Sequence, residues 1–325
     1  MNPELTVVIP VYNEEEGLPA LFARLYPALD ALCTSYEVIF VNDGSRDRSA
    51  AVLGEQYERR PDVTRVLLFA ANFGQHMAIL AGFEHARGAC VVTLDADLQN
   101  PPEEIGRLLE QFRLGHDYVG TIRRQRQDSA FRRHASRAMN RMRARTTRIH
   151  ITDQGCMMRA YGRNVVELVN SCREASTYVP ALAYTFARSP TEIVIGHEER
   201  HAGTSKYSLY SLIRLNFDLM TGFSLVPLQL VSMAGMLLSI CSALFVIFLA
   251  LRRLIVGPEA EGLFTLFGIA FFLLGVLLFA VGLLGEYVGR IYQQVRLRPR
   301  YVVHAVLEGP PAGQSVDSSQ QATPA

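Results

Sequence analysis

Residues 6–45 read TVVIPVYNEEEGLPALFARLYPALDALCTSYEVIFVNDGS. The two ends, 6–11 and 37–42, are short β-branched runs with no alternation of polar and apolar positions. Between them Leu18, Leu21, Phe22, Leu25, Leu29 and Leu32 recur at spacings of three and four, which predicts a helix over 17–32. The unit is strand, helix, strand. It repeats downstream, with strand runs at 63–69, 91–95 and 117–122 and helical stretches at 47–59, 75–87 and 102–114. Strands alternating with helices make an α/β fold with a mostly parallel sheet joined by crossovers. Runs that are apolar throughout fit a sheet covered on both faces. Ligands of such sheets sit beyond the carboxyl ends of the strands.

The chain has 325 residues, a net charge of +1 and a mean hydropathy of +0.13. No charged residue falls between Leu219 and Leu251 or between Gly262 and Gly285. Roughly 20 apolar residues cross a bilayer core, so two spans are expected, at 226–251 and 263–285. This excludes a purely soluble enzyme, a disordered chain and a disulfide scaffold. Residues 1–204 read as a soluble domain and 205–225 as an amphipathic juxtamembrane helix. A C-terminal segment at 286–307 precedes a Pro/Gly/Ser/Gln-rich tail, 308–325, expected to be disordered. The five cysteines have no C-x-x-C spacing, so neither a zinc site nor a disulfide framework is suggested. Residues 123–148 hold ten arginines against one acid, with apolar positions at helical spacing. This reads as a basic amphipathic helix at about 129–146 on an anionic membrane surface. No aromatic platform is interleaved, so nucleic acid is not an expected partner.

Polar residues gather where the strands end: Pro10-Val11-Tyr12-Asn13-Glu14, Asn42-Asp43-Gly44-Ser45 and Asp95-Ala96-Asp97-Leu98-Gln99. Neither G-x-G-x-x-G nor a P-loop is present, so a phosphate would have to be held by a metal or by arginines. Where the backbone turns at a strand end, Asp95 and Asp97 can reach one ion, with Gln99 as a further oxygen ligand. That set suits Mg²⁺ or Mn²⁺ bridging a diphosphate; it would equally suit solvated turn residues capping the next helix. Tyr12 could stack on a base and Glu14 accept from a ribose or base. Asp43 could accept from a uracil N3–H or close an Asx-turn. Asp153 follows the basic stretch and alone could be a turn residue. Arg200, Ser205 and Lys206, the sole lysine, lie in R-x-x-G-x-S-K-Y. They suit a loop closing over phosphates, or a hydrated loop at the bilayer. Arginines of the basic stretch could also grip the phosphate of a lipid acceptor bidentately.

Taken together, these motifs resemble the family 2 glycosyltransferases and, within them, the polyprenyl-phosphate glycosyltransferases. The resemblance implies a GT-A-type (Rossmann-like) nucleotide-sugar domain, amphipathic interface helices and two C-terminal transmembrane helices. It places the chain in a bacterial inner membrane with catalytic domain and both termini cytosolic. Longer runs at 72–76 (NFGQH), 94–104, 126–129, 155–161, 284–292 and 298–301 resemble the branch that transfers 4-deoxy-4-formamido-L-arabinose from a UDP donor to undecaprenyl phosphate, for lipid A modification. The implied transfer is inverting. Asp95, Asp97 and Gln99 would hold Mg²⁺ or Mn²⁺, and Asp97 and Asp153 would be catalytic, Asp153 as a positioning group or base. Pro10, Tyr12, Glu14, Asp43, Asp95, Arg200, Ser205 and Lys206 would bind the nucleotide sugar. Arg123 and Arg132 would hold the acceptor phosphate, and the assembly would be a homotetramer. The same chemistry with glucose or mannose is the near alternative. Intact Asp95, Asp97 and Asp153 oppose a non-catalytic carrier-binding protein. One departure is Asn42, where the family has the first Asp of Asp-Asp-Gly-Ser.

Overall fold

The computed structural model describes residues 2–123, 151–153, 155–172, 178–198, 226–256, 263–295 and 299–309. The chain divides into two units. One comprises 1–132, 149–206 and 298–325, the other 133–148 and 207–297.

The first unit carries an eight-stranded sheet in the order β7-β5-β6-β4-β1-β2-β3-β8. Its strands are β1 Leu5–Val11, β2 Tyr36–Asn42, β3 Thr64–Phe69, β4 Cys90–Thr93, β5 Tyr118–Arg123, β6 Arg159–Gly162, β7 Pro190–Ile195 and β8 Val303–Leu307. Helices α1 Leu18–Asp30, α2 Ser49–Arg59 and α3 Gln75–His85 make the crossovers of β1 to β4. A 3₁₀ turn, Pro102–Glu104, leads into α4 Ile105–Arg113. Helices α5 Arg163–Ser171 and α6 Val179–Phe186 follow β6. β1 pairs in parallel with β2 and β4, β2 with β3, and β5 with β7. β6 and β8 run antiparallel to their neighbours.

Side-chain chemistry explains this layering. β1, β2 and β4 are buried almost throughout, as strands covered on both faces must be. Leu18, Leu21, Leu25 and Leu29 put one apolar face of α1 into the core. By contrast α3 is buried from Met77 to Phe83, and Gly82 lets it touch the sheet. A Cβ there would come 2.2 Å from Val8 Cγ1.

Register fixes where chemistry can occur. Val11 lies opposite Asn42, Val8 opposite Thr93, and Thr93 opposite Arg159. The segments after β1, β2, β3, β4, β5 and β7, together with the one before β6, therefore share one edge of the sheet.

Two features lie outside the periodicity. β6 is only four residues long and opens on a charged residue, so nothing in the pattern marks it as a strand. β8 draws the chain's C-terminal part onto β3. Glu308, assigned to the tail by composition, accepts from Arg65 at 2.7 Å and from Arg87 at 3.0 Å.

In the second unit, α7 spans Val226–Val256 and α8 spans Leu263–Val295. Among the described residues one segment, Ile269–Gly289 with a mean hydropathy of 2.4, is long and apolar enough to cross a membrane. Leu228–Leu238 is a shorter apolar stretch. The expected helices at 129–146 and 205–225 lie outside the described residues.

Candidate active site

Loops meet at the carboxyl edge of the sheet, and hydrogen bonds lace them together. After β1 and β2 the bonds are reciprocal. The Asn13 N–H donates to Ser45 Oγ at 3.0 Å, and the Arg46 N–H to Asn13 Oδ1 at 2.8 Å. The Glu15 N–H donates to Asp47 Oδ2 at 3.1 Å, and the Arg48 N–H to Glu15 Oε2 at 2.8 Å. Glu14 donates its N–H to Ser49 Oγ at 2.9 Å. Pro10 and Glu14 are half-buried here, while the Tyr12 ring is 41% exposed at the mouth. An exposed ring beside a fixed loop can take a base on its face.

Asp43 is buried, and both its oxygens accept backbone hydrogen bonds. The Phe73 N–H donates to Oδ1 at 2.7 Å and the Gly74 N–H to Oδ2 at 2.9 Å. Burial pushes its carboxyl pKa up, and these two N–H groups offset part of that. The structure thus gives Asp43 one definite task, holding the loop after β3. Asn42 is buried too, and its Oδ1 accepts from the Ser45 N–H at 3.1 Å. Its amide oxygen serves the turn, a bond that Asp would also accept, and nothing in the structure explains why Asn stands here. Gly44 is required twice over. Its φ is +64°, and a Cβ would sit 2.4 Å from the Ala71 carbonyl carbon.

After β4 the chain alternates. Asp95, Asp97 and Gln99 are half-buried, whereas Ala96, Leu98 and Asn100 are buried. Three oxygen-bearing side chains are therefore left on the accessible side of one loop. Leu98 has φ +59°, a left-handed conformation that costs a leucine energy and is concentrated at functional sites. Gln75 Nε2 donates to Asp95 Oδ1 at 2.7 Å, and the Gln99 N–H to Asp97 Oδ1 at 3.2 Å. Among the described residues no three His, Cys, Asp or Glu side chains converge on one point. Two carboxylates and an amide are the donor set of a cation that completes its shell with water and substrate phosphate, as Mg²⁺ and Mn²⁺ do.

Asp153 and Arg123 come together as a bidentate pair. Arg123 Nε donates to Oδ2 at 2.7 Å and Nη2 to Oδ1 at 2.8 Å. The Asp153 side chain is 4% exposed and that of Arg123 is 20% exposed. Asp153 holds the Arg123 guanidinium above its ordinary pKa, and the Asp95 charge adds to this, so the metal-motif carboxylate belongs to the same electrostatic neighbourhood. A guanidinium has five N–H donors, and a bidentate pair uses two. The other three can serve a phosphate.

Supporting residues complete the edge. Arg159 is fully buried and ties the 153–159 loop by donating to Asp153 O at 2.6 Å, Cys156 O at 3.0 Å and the Tyr118 hydroxyl at 2.7 Å. The Glu198 N–H donates to Gln99 O at 3.0 Å, and Arg24 pairs with both Glu198 and Glu103. Sequence reasoning gave no role to Gln75, Arg159 or Glu198. Gln75 lay within the NFGQH run, but only contact with Asp95 marks it. Arg132, Arg200, Ser205 and Lys206 lie outside the described residues.

Residues 6–169 match the protein family described as glycosyl transferase family 2. An Aeromonas hydrophila protein named undecaprenyl-phosphate 4-deoxy-4-formamido-L-arabinose transferase is 48% identical over 93% of this chain and 94% of its own length. A Pseudomonas aeruginosa protein of the same name is 47% identical over 98% of both. A solved structure of glucosyl-3-phosphoglycerate synthase from Mycobacterium tuberculosis covers 67% of this chain and 78% of its own, at 15% identity and a TM-score of 0.46.

Proposed function

The chain belongs to glycosyl transferase family 2, and on that premise we propose that it transfers 4-deoxy-4-formamido-L-arabinose from a UDP donor to undecaprenyl phosphate, with inversion. The observation that carries this is near-half identity to transferases of that name over almost the whole chain, joined to acidic motifs at the carboxyl edge of the sheet. The lipid-linked sugar would serve lipid A modification and so resistance to cationic peptides such as polymyxin.

The reaction is one in-line displacement. A phosphate oxygen of the acceptor forms a bond to the anomeric carbon as the bond from that carbon to the UDP oxygen breaks, and UDP departs with the electron pair. A phosphate monoester has a second pKa near 6 and is mostly dianionic at pH 7. The nucleophile therefore needs no strong base. This favours positioning for Asp153, whose two oxygens are already committed to Arg123. Arg123, together with Arg132 further along the basic stretch of the sequence, would receive the acceptor phosphate and offset its repulsion from the donor. Tyr12 would stack on the uracil, with Pro10, Glu14 and Asp43 shaping that end of the site. Arg200, Ser205 and Lys206 would close over the diphosphate. Asp95, Asp97 and Gln99 would hold Mg²⁺ or Mn²⁺, which when bound supplies Lewis-acid neutralisation of the leaving diphosphate.

We further propose two membrane spans, 226–251 and 263–285, with a cytosolic catalytic domain, cytosolic termini and homo-oligomeric assembly in the inner membrane. Lys206, Arg214, Arg290, Arg296, Arg298 and Arg300 flank the outer ends, against Arg252 and Arg253 in the connection, a bias of six to two. Nucleotide sugars are cytosolic, which agrees. A cysteine at Glu261, in a background lacking native cysteines, should react with a membrane-impermeant thiol reagent in intact cells, and one at Ser315 should not. The sugar itself is tested by incubating the purified chain and undecaprenyl phosphate with a panel of UDP-sugars and weighing the lipid products. The formamido-arabinosyl product is expected; glucosyl or mannosyl product alone would overturn the sugar assignment.

A further inference from the structure

Residues 73–75 touch both acids that flank the end of β1. The N–H groups of Phe73 and Gly74 hold Asp43, at the end of β2, and the Gln75 side chain donates to Asp95, beyond the end of β4. β1 lies between β2 and β4 in the sheet. One tripeptide therefore spans the motif that would meet the nucleobase and the motif that would meet the diphosphate.

The Gln75 contact is not a by-product of packing. Its side chain is exposed, so no core contact holds its rotamer. Ordering a glutamine side chain costs rotamer entropy, which the bond to the carboxylate offsets. Its backbone is fixed independently, since Gln75 opens α3 directly after Gly74, which has φ +96° and donates its N–H to Asp43. A 2.7 Å amide-to-carboxylate bond is charge-assisted and orients the acceptor. Groups that orient a metal-binding side chain this way set ligand affinity by about 10–100-fold.

We propose that Gln75 is a positioning residue for the cation–diphosphate site, fixing the orientation of the Asp95 carboxylate through its bond to Oδ1. The proposal rests on the reading of Asp95 and Asp97 as the donor-site carboxylates. It makes Gln75 a determinant of donor loading, not of the acceptor.

The test uses the full-length protein in detergent, with Mn²⁺ and UDP as probes and no turnover. Free Mn²⁺ is read by electron paramagnetic resonance in the presence of saturating UDP. Gln75→Met keeps the side-chain length and removes the donor. It should raise the Mn²⁺ Kd about tenfold or more without moving the thermal unfolding midpoint, because Gln75 is exposed. In an Asp95→Asn background the same change should add little, a result that general loosening of the fold would not produce. Wild-type protein that binds Mn²⁺ alongside a Gln75→Met variant of equal affinity overturns the proposal alone. Wild-type protein that binds no Mn²⁺ with UDP overturns the donor-site reading and the proposal with it. An undiminished effect of Gln75→Met on Asp95→Asn shows that Gln75 acts elsewhere, and overturns the positioning role.

Discussion

Replacing Arg123 by methionine keeps most of the side-chain bulk and strips two hydrogen bonds from a carboxylate that is 4% exposed. Opposite unit charges about 4 Å apart attract by about 4 kcal/mol at an effective dielectric near 20. Removing one partner of a buried pair costs about 3–5 kcal/mol. Two features favour the low end. The Arg123 side chain is 20% exposed, so water reaches the vacated space, and the Gly155 N–H still donates to Asp153 Oδ1 at 3.1 Å. The expected loss is about 3 kcal/mol. Asp153→Asn removes the buried charge itself and leaves Arg123 free to hydrate, for a loss of about 1 kcal/mol. The double variant should then be about as stable as Asp153→Asn alone, a coupling of about 3 kcal/mol. Pulse proteolysis of the full chain in micelles across a urea gradient reads all four corners of this cycle. Losses that add within about 0.5 kcal/mol would refute the picture of a coupled buried pair, and with it the argument that Asp153 is committed to positioning.

Gly44→Ala should cost about 2 kcal/mol or more and weaken UDP binding, because its Cβ would meet backbone of the loop that Asp43 holds; an unchanged melt and UDP titration would contradict this. Burial pushes the His76 imidazole down to about 4. Its folded pKa lies below the unfolded value near 6.5, so the unfolded chain takes the proton first as pH falls. Stability should drop by up to about 3 kcal/mol between pH 6.5 and 4, and His76→Phe should flatten that part of the pH profile. Tyr301 stacks on Phe69 at 5.0 Å, and Phe69 meets Phe73 edge-on at 5.8 Å. Tyr301→Ala should therefore raise KM for the UDP-sugar more than it lowers kcat, and an unchanged KM would uncouple the C-terminal strand from the donor loop.

The β1-to-β5 frame was legible because its residues are redundant. Runs such as VVIPV and EVIFV admit no reading but a covered strand, and α1 declares itself by leucine spacing. The strand-end acids were legible once the strands were placed, because Asp43, Asp95 and Asp97 stand just after apolar runs. What remained hidden depends on tertiary contact. β6 opens on Arg159, which is charged and yet fully buried, because a hydroxyl and two carbonyls receive its N–H groups. β8 is an edge strand whose partner lies over 230 positions earlier in the chain. Asp43 illustrates the limit within a site. Its position at a strand end was readable, but its bonds to Phe73 and Gly74 were not. The Arg123–Asp153 pair was likewise invisible, since the sequence offers Arg123 for the acceptor phosphate and Asp153 as a positioning group or base, with nothing to join them.

The most direct test of the central claim is product formation by the purified full-length chain given UDP-4-deoxy-4-formamido-L-arabinose, undecaprenyl phosphate and Mn²⁺, comparing wild type with Asp97→Ala. Equal amounts of UDP and lipid-linked sugar should appear with the wild type and vanish when either metal or acceptor is withheld. Folded Asp97→Ala should form almost none. If that variant keeps more than about a tenth of the wild-type rate, a loss of barrier stabilisation under about 1.4 kcal/mol, the strand-end carboxylates are not the donor site.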